Sequence, residues 1–180
     1  MTRLIICNYS LCLLHLYIVA ELKPTHGHCS QGWVLHGSSC YHVSHDMEDW
    51  ADADYMCHKM GGYLAEINTA FEGNFLENQV KLFNFPQGYT WIGATDIPIE
   101  GEWIWANSNS QLSSQSYSNW LPGDPNNVGG NQNCLSIGNT GLWADENCAS
   151  IYHYICEKDE EHGSVMLSVT SKQSVWLLYI

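Results

Sequence analysis

Basic residues are scarce in this 180-residue chain. Six Lys+Arg stand against nineteen Asp+Glu, for a formal net charge of −13. Partners read through their phosphates need clustered Lys and Arg that release counterions, so nucleic acids and anionic membrane surfaces are excluded. The chain has no apolar run of the roughly 20 residues that a bilayer span needs, and no internal repeat. It has no C-x-x-C spacing, which removes a thioredoxin-like redox pair and a zinc ribbon. No Asn-x-Ser/Thr sequon follows residue 20, so N-glycosylation is not expected. Nothing suggests an enzyme: Ser38-Ser39 lies between two cysteines without a supporting motif, and the acids imply no particular dyad.

What is present points to an ordered exported domain. The chain is 45% hydrophobic and 12% aromatic, with eight Trp and ten Tyr, enough for a sizeable core in one domain with a tail. Arg3, the mostly apolar run from Leu11 to Val19 and the small-residue end Ile18-Val19-Ala20 read as a signal peptide over residues 1–20, which makes the protein secreted and extracellular. Its removal takes away Cys7 and Cys12 and leaves Cys29, Cys40, Cys57, Cys134, Cys148 and Cys156. An even count in an oxidising compartment reads as three disulfides. Six cysteines allow fifteen pairings, and spacing does not choose among them.

Along the mature chain, two helices come early and strands follow. Cys29 to Tyr41 suggests a short bridged hairpin. Ser44 or Asp46 can cap a helix whose face includes Met47, Trp50, Ala51, Ala53, Tyr55, Cys57 and Met60, ended by Gly61-Gly62. Tyr63 to Ile67 is strand-like. Thr69-Ala70-Phe71-Glu72 is a capping box for a second helix carrying Phe71, Phe75, Leu76 and Val80 near helical spacing. Short aromatic or branched runs at residues 91–94, 103–105, 134–137, 142–144 and 152–156 read as strands. This order argues an α+β fold with antiparallel sheets. Trp33, Trp50, Trp91, Trp103 and Trp105 read as core. Residues 159–180 form a tail, Ser-rich with an apolar end, expected to be disordered.

Between residues 106 and 133 lies a polar stretch too long for a plain connection, with Trp120, Pro122 and Pro125 favouring order. Its second half, Asp124-Pro125-Asn126-Asn127 through Asn131-Gln132-Asn133-Cys134, is dense in side-chain oxygens, and Trp143-Ala144-Asp145 follows. Hard cations such as calcium take 6–8 oxygens. Pinned by Cys134 and stiffened by Pro125, such a loop can pre-place them. Asn, Asp and Gly are also ordinary turn formers that serve their own backbone. The crowd of His26, His28, His36, His42 and His45 reads as solvated rather than as a transition-metal chelate.

These motifs in order resemble a C-type lectin domain of the long form over residues 29–158. The resemblance rests on Cys29-Ser30-Gln31-Gly32-Trp33, Cys40-Tyr41, Trp50 to Ala53, Cys57, Gly61 to Ala65, Trp91-Ile92-Gly93, Gly101-Glu102-Trp103, Asn119-Trp120, Asp124-Pro125-Asn126, Cys134, Trp143 to Asp145, Cys148 and Cys156. Residues 91–105 and 119–134 are also similar to perlucin-like shell lectins. The resemblance implies the pairing Cys29–Cys40, Cys57–Cys156 and Cys134–Cys148. It also implies a carbohydrate-recognition domain whose partners are glycans or glycoproteins, gripped through a calcium ion.

Carried over by position, that ion and the sugar would be held by Asp124, Asn126, Gln132 and Asp145, with Ala144 where an amide is usual. A second, weaker calcium site falls on Asp96, Glu100, Asn127, Gln132 and Asn133. Gln132 keeps an oxygen but not a charge, and Ala144 supplies no ligand, so calcium affinity is expected to be reduced. The amide after Pro125 resembles the mannose-type triplet. The alternative is a calcium-independent module on the same fold, contacting extracellular matrix or biomineral with its acidic surface.

Overall fold

The computed structural model describes residues 27–161 apart from Gln87 and Ser114, together with three short strands near the chain ends. Those strands, β1 (Arg3–Ile5), β2 (Ile18–Glu21) and β11 (Val169–Ser171), form an antiparallel sheet in the order β1-β2-β11, a unit of its own. The expected cleavage-site residues Ile18-Val19-Ala20 fall in β2, and of the tail Asp159 ends β10, Glu161 bridges His28 and Val169–Ser171 form β11; the other residues of leader and tail lie outside the described residues.

The second unit, residues 28–161, carries β3 (Val34–His36), β4 (Ser39–Val43), α1 (Trp50–Lys59), β5 (Tyr63–Leu64), α2 (Ala70–Phe83), β6 (Tyr89–Thr95), β7 (Ile104–Trp105), β8 (Gln132–Gly138), β9 (Trp143–Asn147) and β10 (His153–Asp159). The main sheet runs β3-β4-β10-β6-β8-β9, with β5 also on β10 and β7 on β6. All of its pairs are antiparallel except β10 with β6, where His153 faces Thr90 and Tyr154 faces Trp91 in parallel. The α+β fold with antiparallel sheets is as expected, with this one parallel pair added. β10 returns beside β4, at the start of the domain, and must run alongside β6 to do so.

Side chains alternate across a strand, and the sheet uses both faces. Ile92, Leu135, Ile137, Trp143 and Ile155 pack with Leu76 and Val80 of α2. Their neighbours Trp91, Cys134, Tyr154 and Cys156 pack with Trp50, Ala53 and Cys57 of α1. The two helices therefore lie on opposite faces. Gly93 is where β6 crosses between them. A Cβ there would stand 2.4 Å from the Leu64 carbonyl oxygen, while the Gly93 N–H donates to Ala65 at 2.8 Å. No side chain fits that crossing.

The first helix starts later than expected. Its N-cap is Asp49, which accepts from the Asp52 N–H at 2.9 Å. Ser44 instead accepts from the Asp46 N–H in a local turn, and Glu48 is still extended, bridging Tyr152. Only Trp50, Ala53 and Cys57 of the expected face are buried; Ala51 and Tyr55 are exposed. The second helix starts at the expected cap. Thr69 Oγ1 accepts from Glu72, and Glu72 reaches back to the N–H of Asn68 at 2.8 Å. Phe71 is exposed rather than core, stacked on His36 at 4.2 Å. Phe75 covers the other side of that ring at 4.1 Å, so His36 is packed, not solvated. Trp33 is half-buried under Lys158, whose Nζ lies 4.7 Å from its ring centroid; the other four tryptophans expected in the core are buried.

The bridges are Cys29–Cys40, Cys57–Cys156 and Cys134–Cys148. Cys57 and Cys156 stand 99 residues apart in sequence, and closing so long a loop in the unfolded chain contributes roughly 4–5 kcal/mol in the chain-entropy account.

Three acids meet beneath the β4–β10 pair. Glu157 is 6% and Glu66 5% exposed. The Tyr41 hydroxyl donates to Glu72, with Glu157 3.4 Å away, and Glu157 accepts from the Glu66 N–H at 3.1 Å. Among the described residues none of these carboxylates has a cationic partner. Burial foremost, with the Glu72 and Glu66 charges adding to it and two hydrogen bonds opposing, pushes the Glu157 carboxyl up to about 7 from 4.5.

The folded state therefore holds a proton that the unfolded chain has released. Stability from this group is complete below about pH 4.5 and is lost as pH rises through about 7, by about 3 kcal/mol at most. Glu157→Gln should flatten that decline, raising the melting temperature relative to wild type at pH 8 but not at pH 4; equal slopes in calorimetric scans would refute the assignment. Separately, Gly93→Ala should cost about 2–4 kcal/mol in urea unfolding through backbone displacement at the crossing.

Candidate functional site

The long loop is ordered because β9 holds it. Trp143 is fully buried, and its ring meets Trp105, Tyr117 and Trp120 edge-on at 6.0, 5.6 and 5.9 Å. Its N–H donates to Asn119 at 2.8 Å and its carbonyl accepts from Leu121 at 2.7 Å, so the loop is fastened on both sides of Trp120. A turn from Leu121 to Asp124, with Gly123 at φ 103°, leads into the cis Asp124–Pro125 peptide. Positive φ at Gly123 is open to glycine and strained for other residues.

Two residues beyond Trp143, on the same strand face, Asp145 captures the loop tip. It is 1% exposed, and its Oδ2 accepts from the N–H groups of Asn126 at 2.9 Å and Asn127 at 2.6 Å. Asn126 donates through its amide to Asp124 Oδ1 and accepts from the Val128 N–H at 3.1 Å. Gln132 Oε1 accepts from the same Val128 N–H at 2.6 Å, and Asn127 Oδ1 accepts from the Gln132 N–H at 3.0 Å. Asp124, Asn126, Gln132 and Asp145 are thus brought together as expected, along with Asn127. Much of their oxygen capacity serves the loop's own backbone.

The second set is only partly assembled. Asp96 is 2% exposed and accepts from the Gly101 N–H at 2.9 Å, while its own N–H donates to the Asn133 carbonyl at 3.2 Å. Glu100 is exposed. Within the two candidate sets, three described side-chain oxygens are buried without a hydrogen-bond partner: Asp96 Oδ1, Asn133 Oδ1 and Asp145 Oδ1. A buried carboxylate oxygen without a donor is costly, and a hard cation is the partner that would relieve it.

The electrostatics agree. Burial raises the Asp124 carboxyl above its ordinary range and the Asp145 charge adds to this, against the hydrogen bond from Asn126. Asp96 is raised by burial, opposed by the Gly101 N–H and reinforced by Glu100 and Asp145. The residues therefore fit a hard cation, weakly: no three His, Cys, Asp or Glu side chains form a metal-holding group among the described residues. His28 instead faces Glu161 at 3.5 Å, and His26 lies outside the described residues.

Sequence reasoning missed Tyr89 and Glu146. Glu146 sits two residues after Ala144 and accepts from the Tyr152 hydroxyl at 3.3 Å. Burial above all raises its carboxyl, with the charges of Asp145 and Asp124 adding to the effect. The signal was the strand period, which carries Ala144 and Glu146 to one face.

No helix among the described residues is long and apolar enough to cross a membrane. Residues 46–158 match the lectin C-type domain family. The chain is 34% identical over 135 residues to perlucin of Haliotis laevigata, covering 73% of this chain and 83% of perlucin. It is 33% identical over 153 residues to human asialoglycoprotein receptor 2, covering 79% of this chain and under half, 46%, of that receptor. The crystal structure of the cow C-type carbohydrate-recognition domain of CD23, in the presence of a GlcNAc2Man3 oligosaccharide, superposes with a TM-score of 0.66 at 32% identity, over 74% of this chain and 98% of that one. With its three bridges, its β9-anchored loop and this match over most of residues 28–161, the chain belongs to the C-type lectin domain family, a family of lectins rather than enzymes.

Proposed function

We infer that the protein is a secreted lectin that binds mannose-type glycans or glycoproteins through a weakly held calcium ion at Asp124, Asn126, Gln132 and Asp145. The observation that carries this reading is the stranded oxygen of Asp145, buried at the floor of an ordered loop whose other acid, Asp124, is raised by burial and then by the Asp145 charge. Asp96 and Asn133, with Asn127 and Glu100 at the edge, would hold a second ion more weakly. When bound, calcium offers open coordination places to neighbouring sugar hydroxyls. The chain's own part is to pre-place the oxygens: Asp145 fixes the tip through two N–H groups, and Asn126 and Gln132 share the Val128 N–H. The oligosaccharide named with the CD23 domain contains mannose, which supports the mannose reading of Asp124-Pro125-Asn126.

One observation favours a second reading. The loop already satisfies much of its polar inventory without an ion, so the fold could serve calcium-independent contacts with extracellular matrix or biomineral. Retention on a mannan resin separates the two, because release by a chelator supports the first and retention through chelation the second.

Ala144→Asn with Gln132→Glu restores one ligand and one charge and should tighten calcium binding roughly tenfold by titration calorimetry. The cleft beside Ala144 gives the larger side chain room. No gain in the double variant would mean that the loop is not arranged as a cation site. Asp145→Ala should abolish mannan retention, and unchanged retention would place the sugar elsewhere.

A further inference from the structure

On the face of β9 opposite Trp143 and Asp145, Ala144 lines a cleft of about 320 Å³ with Tyr89, Leu121, Asn139, Thr140 and Leu142. That volume is at the lower end of small-molecule sites and admits a single sugar ring with one substituent. None of the lining residues is charged, so an ion entering the cleft would give up water without gaining a counter-charge. The occupant that fits is neutral. The cleft also adjoins the loop: the Leu121 carbonyl accepts from the Asp124 N–H at 2.9 Å, and Ala144 precedes Asp145 in β9.

Leu121, Leu142, Ala144 and the Tyr89 ring make the apolar part of the lining. Tyr89 and Thr140 each add a hydroxyl able to donate or accept. Asn139 is held in place from two directions. Its backbone N–H donates to the Gly88 carbonyl at 2.9 Å, and its side-chain amide donates to the Phe85 carbonyl at 3.0 Å and lies 3.4 Å from Asn84 Oδ1. With the amide so oriented, Asn139 Oδ1 is buried without a hydrogen-bond partner. Such an acceptor is costly, and a ligand N–H entering beside Asn139 relieves it. An acetamido group answers this set part by part: an N–H for the orphan oxygen, a carbonyl for a hydroxyl donor, and a methyl for the apolar wall. A sugar hydroxyl brings no methyl, and an ammonium brings no acceptor.

We propose that the Tyr89–Ala144 cleft is a subsite for the acetamido group of an N-acetylhexosamine, next to the sugar held at the loop. The assignment rests on the carbohydrate reading above and deepens it. None of the residues lining the cleft is among the proposed calcium ligands, so the two can be tested apart.

The test uses the full chain and two neutral probes, chitin and cellulose oligosaccharides of equal length, which share a backbone and differ at C2 in acetamido against hydroxyl. Both are titrated by calorimetry, with mannan retention followed in parallel. The acetamido probe should bind about tenfold more tightly, and that preference should persist with a chelator present. Tyr89→Phe, which keeps the wall and removes a hydroxyl, should lower the preference about threefold. Thr140→Trp, at an exposed position of the lining, with its fold checked by melting temperature, should abolish the preference and leave mannan retention unchanged. Equal affinity for both probes in wild type, a preference that disappears with the chelator, or one that survives both substitutions overturns the cleft. Lost mannan retention with the acetamido preference intact overturns the loop reading alone and supports the cleft.

Discussion

A polar loop of residues 106–133 has little reason to be ordered by itself. Fixing each residue costs roughly 1–2 kcal/mol of backbone entropy, and few of its side chains are apolar. The cost is met by one strand, β9, which presents Trp143 and Asp145 on one face. Trp143 buries its ring among Trp105, Tyr117 and Trp120 and takes two backbone hydrogen bonds from either side of the loop's middle. Asp145 binds two N–H groups at the tip. β9 is itself held to β8 by the ladder and by the Cys134–Cys148 bridge. Loop order is therefore a property of the sheet.

That dependence explains what could be read from the sequence. Thr69-Ala70-Phe71-Glu72 announces a helix start through contacts a few residues apart, and α2 begins there. The first helix was misplaced because three acceptors compete near its start, and the winner, Asp49, was decided by Glu48 pairing with Tyr152 a hundred residues away. Phe71 fitted a helical face but found its partner in His36 on β3, outside the core. The oxygen-rich loop was legible as a candidate site because its composition is unusual. Tyr89 and Glu146 were not, since one lies at a strand start and the other in a short acidic run, and only the pleat brings them to Ala144.

The same loop chemistry frames the question of the ion. Asparagine and glutamine oxygens that bond the loop backbone keep its shape with no metal, whereas three full carboxylates in that space would repel one another. Gln132 in place of an acid thus lowers the attraction for calcium and the strain of lacking it together. What remains is the floor, where Asp145 has one oxygen spent on the backbone and one without a partner. A structure that needed no cation would gain by replacing that oxygen with an apolar or donor group.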